Sequence, residues 1–99
     1  MTDIKTDMKT DITMGTADAR VAVMSIIVED RDSVETLNAI LHEYGGYIIG
    51  RMGLPYKPKD INIISIAMDA PQDVISALSG RVGSLKGVSV KVAFSSSNN

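Results

Sequence analysis

The 99-residue chain holds a single histidine, His42, and no cysteine. No disulfide, thiolate nucleophile, Cys-ligated zinc site or Cys-held iron–sulfur cluster can therefore form. His42 has only Glu43 beside it, and on a helix those two diverge, which is too few ligands for a metal. No Ser/His/Asp arrangement has a supporting partner for that histidine either, so a non-enzymatic protein is expected. Glu29, Asp30, Asp32 and Glu35 form an acidic cluster. Their spacing lacks the alternating oxygen ligands and glycine turn of a calcium loop, and helix capping accounts for them. No metal and no cofactor is expected.

The remaining chemistry lies between Tyr47 and Tyr56. Gly50 and Gly53 let backbone come close, Arg51 offers a planar fork of donors to a carboxylate or phosphate, and Tyr47 and Tyr56 supply amphipathic walls. A strand follows these glycines rather than a helix, so they are no phosphate loop. Tyr47, Gly50, Arg51, Gly53 and Tyr56 are the expected ligand or interface residues.

Elements must position that stretch, and the apolar spacing supplies them. Ala19–Glu29 reads as a first strand, apolar on both faces. Asp32-Ser33-Val34-Glu35 has capping-box spacing and opens a helix with Val34, Leu37, Ile40, Leu41 and Tyr44 on one stripe. Gly45-Gly46 is expected to stop it in a left-handed cap. Tyr47–Leu54 reads as a second strand, broken by Pro55 and Pro58, and Ile61–Met68 as a third. Pro71 then opens a second helix with Val74, Ile75, Leu78 and Val82 on one face, ended by Gly80 and Gly83. Val88–Phe94 alternates as a fourth strand.

The order β-α-β-β-α-β with right-handed crossovers is the α+β, ferredoxin-like plan. It implies an antiparallel four-stranded sheet of order 4-1-3-2 with both helices on one face. Residues 19–94 are then one domain. Residues 1–18 read as a polar, flexible and dispensable tail built on a Thr-Asp repeat, and residues 95–99 as a polar end.

Two helices cover only one face, yet strands one and three are apolar on both. A bare apolar sheet would be an oversized patch on a monomer. A homodimer or homotetramer is therefore expected, with Val23, Ser25, Ile27, Ile63 and Ser65 as its interface. Serine is easier to accommodate at a partly wet contact than in a core. A formal net charge of −2 argues against nucleic acid, and no apolar run approaches the roughly 18 residues that would span a bilayer. A cytoplasmic setting is the default.

The runs Ile26–Glu35, Asn38–Tyr56, Ile64–Gly80 and Gly87–Val92 resemble a family of small proteins named as iron-only hydrogenase system regulators. That family is similar to the ACT-like superfamily, which includes the C-terminal sensor half of nickel-responsive regulators. The resemblance implies dimers or tetramers that place small ligands at subunit interfaces. The loop Glu29-Asp30-Arg31-Asp32 lacks the glycine that admits an amino-acid ligand, and one histidine cannot supply a nickel site. A regulatory module that senses a small-molecule effector or binds a partner is the leading expectation. A structural subunit without ligand, or a transcription regulator touching DNA, are the alternatives.

Overall fold

A computed structural model describes residues 19–96. The reading of residues 1–18 as a free tail, and of the end beyond Ser96, lies outside the described residues. Four strands, β1 (Ala19–Val28), β2 (Ile48–Tyr56), β3 (Ile61–Pro71) and β4 (Val88–Phe94), alternate with two helices, α1 (Val34–Glu43) and α2 (Gln72–Gly83). The sheet is antiparallel, with order β2-β3-β1-β4. This is the expected ferredoxin-like arrangement.

The core forms because β1 and β3 each turn alternate residues to the helices. Ala22, Met24, Ile26 and Val28 on β1, and Ile64, Ile66, Met68 and Ala70 on β3, are buried. Leu37, Ile40 and Leu41 of α1 and Ile75, Leu78 and Val82 of α2 close over them. Each of the Val, Leu, Ile and Met side chains among them contributes about 1.5–3 kcal/mol by leaving water, and the two alanines less.

Local corrections to the sequence reading cluster at the element ends. Asp30, not Asp32, caps: its Oδ1 accepts from the Asp32 N–H at 2.9 Å and starts a 3-10 turn over Arg31–Ser33. α1 begins only at Val34, without a side-chain cap, because Ser33 Oγ donates instead to the Lys86 carbonyl at 2.7 Å. Neither Gly45 nor Gly46 takes a left-handed conformation; the chain passes directly into a 3-10 turn over Gly45–Tyr47. β2 runs through Pro55 to Tyr56, which an edge strand tolerates because one side of its backbone has no ladder partner. Gly80 lies inside α2 rather than ending it.

Gly87 is where backbone freedom is needed. Its φ is +71°, and a Cβ there would lie 2.6 Å from Asp30 Cβ and 2.9 Å from the Asp30 nitrogen. That closeness lets Glu29 N–H donate to the Gly87 carbonyl at 2.7 Å, joining the exit of β1 to the entry of β4.

Candidate functional site

The register sorts the expected site residues onto two faces. β2 pairs with β3 through Gly50↔Ala67, Arg51↔Ile66, Met52↔Ser65, Gly53↔Ile64, Leu54↔Ile63 and Tyr56↔Ile61, after an irregularity between Ile48 and Gly50. Directly paired residues share a face. Gly50, Met52, Leu54 and Tyr56 therefore lie on the open face, away from the helices. Arg51, Gly53 and Pro55 lie on the helix side. Tyr47 precedes the strand, in the 3-10 turn, and is exposed. Tyr47, Gly50, Arg51, Gly53 and Tyr56 are thus not brought together on one face. The period of two separates Arg51 and Gly53 from Gly50 and Tyr56.

On the helix side, Arg51 and Gly53 border a cleft of about 250 Å³ between α1 and the edge of the sheet. Val34, Asn38, Leu54, Pro55, Asn62 and Ile64 line the rest of it. The Arg51 guanidinium donates to Asn38 Oδ1 at 3.2 Å. Nothing lies within 4 Å of where a Gly53 Cβ would sit, so that glycine leaves open space.

The open face is apolar over much of its extent. Val23, Ser25, Ile27, Ile63 and Ser65 all lie on it, opposite the buried set. Ser25 pairs with Ser65, and Ile27 with Ile63. The sequence reading missed three of its neighbours: Val21, Met52 and Leu54 are 44%, 59% and 52% exposed. For Met52 and Leu54 the signal is the alternation Gly50, Met52, Leu54, Tyr56, which shows only when counting starts after Ile49; for Val21 it is the alternation Val21, Val23, Ser25, Ile27 along β1.

Elsewhere, charges pair at the surface. Arg31 meets Asp60 at 2.6 Å, and Arg81 holds both carboxylate oxygens of Glu43 at 2.9 and 3.1 Å. That fork keeps the Glu43 carboxyl below its ordinary range, first by hydrogen bonding and then by charge. Bonding to Glu43 and to Tyr44 raises Arg81 in turn. His42 is exposed on α1. Among the described residues, no three His, Cys, Asp or Glu side chains converge to hold a metal ion. No helix among them is long and apolar enough to cross a membrane.

With this geometry in place, comparison with known proteins becomes informative. A family model described as "TM1266-like: Iron-only hydrogenase system regulator, putative" matches residues 20–92. The chain belongs to the TM1266-like family. A solved structure of uncharacterized protein TM1266 from Thermotoga maritima shares 34% identity, with a TM-score of 0.75, over 77% of this chain and 96% of that one. Among curated proteins, none matches. A formyltetrahydrofolate deformylase from Pseudomonas putida KT2440 is similar at 11% identity and a TM-score of 0.55. It covers 74% of this chain but 28% of the deformylase, and it shares the fold alone. The matched residues 20–92 span both helices, β2 and β3, and all but the outermost residues of β1 and β4. The family's description suggests a regulatory role.

Proposed function

We propose that this chain is a non-enzymatic regulatory module that works as a homo-oligomer joined through the open face of its sheet. It senses a small molecule, and the family's description supports an iron-only hydrogenase system as its setting. One observation carries the assembly reading. Val21, Val23, Ile27, Met52, Leu54 and Tyr56 are large apolar side chains, 40–59% exposed, on one sheet face. Monomeric soluble proteins rarely leave so continuous an apolar surface in water, because covering it is worth roughly 25 cal/mol per Å². Two copies laid sheet to sheet would remove it. A ligand that prefers one arrangement of subunits then shifts the population toward it, by as much as its affinities for the two differ.

Sedimentation of the wild-type chain at micromolar concentration is expected to give a dimer or larger. A monomer of 10.6 kDa would overturn the reading. The faces provide the internal control. Ile63→Asp, on the open face, is expected to yield a folded, soluble monomer. Ile64→Asp, at a position only 6% exposed, is expected to unfold the domain.

A further inference from the structure

The described arginines differ in what holds them. Arg31 and Arg81 face carboxylates, and Arg20 stacks 4.6 Å over the Phe94 ring while donating to Gln72 and to the Ser95 carbonyl. Arg51 is the exception: among the described residues its guanidinium meets one neutral acceptor, Asn38, and no carboxylate. It does so at the mouth of a cleft whose floor is left open by Gly53.

We propose that this cleft between α1 and β2 binds a small organic carboxylate. The inference rests on the small-molecule reading above and names its ligand class. The Arg51 fork matches the two oxygens of a carboxylate, and one guanidinium balances one negative charge. Asn38 and Asn62 add neutral amides that can donate. The other walls, Val34, Pro55 and Ile64, are apolar and suit a short hydrocarbon tail. Within the cleft's lining a phosphate dianion would meet a single cation, Arg51. Glu35 sits in the first turn of α1 and is exposed. The cleft's 250 Å³ is smaller than the roughly 300–1,000 Å³ of sites for drug-sized molecules, which favours a small ligand.

The test is an NMR titration of the full ¹⁵N-labelled chain with sodium butyrate at constant ionic strength. n-Butanol and inorganic phosphate serve as comparisons. Saturable shifts centred on the amides of Asn38, Gly53 and Asn62 are expected with butyrate and not with butanol. Arg51→Gln is expected to weaken binding at least about tenfold, the scale of one lost charge-assisted bond. Arg81→Gln, which breaks a pair away from the cleft, should leave binding unchanged. Gly53→Val, at a position where a Cβ meets nothing within 4 Å, puts a side chain into the cleft and should abolish binding, which keeps the test decisive if Arg51→Gln folds poorly. The proposal is overturned if no saturable shift appears, if Arg51→Gln binds equally, or if phosphate binds there more tightly than butyrate. Sedimentation of the same samples separates the two readings. A monomer that binds butyrate removes only the assembly, and an oligomer that does not removes only this site.

Discussion

Single residues in this fold carry unequal weight, and two of its glycines illustrate it. Gly87 has both a left-handed backbone and an Asp30 Cβ 2.6 Å from where its own would be. Gly87→Ala should therefore cost more than the roughly 1 kcal/mol of backbone strain alone, about 2–3 kcal/mol in all. For a domain of this size that lowers Tm by roughly 10–20 °C, which calorimetry would read directly. Gly53→Ala, with open space around it, should shift Tm little. Charge offers a second check at this scale. The Glu43 carboxyl is held low by Arg81, so the pair stabilises the folded state above the ordinary carboxylate pKa. That stabilisation disappears as pH falls through the lowered folded value. Glu43→Gln should thus narrow the gap in urea midpoint between variant and wild type on going from neutral to strongly acidic pH. A gap that stays constant would deny the pair any role.

At the scale of elements, legibility follows burial. β1 and β3 alternate between core and open face, and α1 and α2 present apolar stripes, because a buried face imposes its period on the sequence. Those elements could be read from their residues, and so could the strand order. β2 resisted because the irregularity at Ile49 resets the alternation just after the strand begins. Counted from Tyr47, its residues show no pattern; counted from Gly50, they divide cleanly into Met52, Leu54 and Tyr56 against Arg51, Gly53 and Pro55. That phase change placed Arg51 toward α1, and its meeting with Asn38 is a tertiary event that no local spacing encodes. The cap was missed for another reason. Asp30 and Asp32 are both suited to it, and the choice is made by the 3-10 turn that the close approach of Gly87 allows. The same register makes a sharp prediction at Ile63 and Ile64. One residue's difference along β3 separates an assembly mutant from a folding mutant, and circular dichroism alongside sedimentation distinguishes them.

Across the whole molecule, one of the two inner strands, β1, is the first in the chain, and none of its ladder partners is near it in sequence. Val28, the last residue of β1, pairs with Asn62 and with Val88. The one local strand pair is the β2–β3 hairpin, closed by the turn over Lys57–Lys59 and by Asp60 at φ +53°. Closing long loops before any contact rewards them is slow. The folding barrier should therefore lie at the capture of β1 by a hairpin that already exists. In the Ile63→Asp background, Asp60→Val, which puts a β-branched side chain at a left-handed position, should slow refolding more than it speeds unfolding. Val92→Ala on β4 should do the reverse, and stopped-flow chevrons would show both. Equal effects of the two changes on the refolding limb would refute that order. Until β1 arrives, the hairpin shows water an unpaired β3 edge carrying Ile64, Ile66 and Met68. The contacts that make the finished core so regular are, during those milliseconds to seconds, its greatest hazard for aggregation.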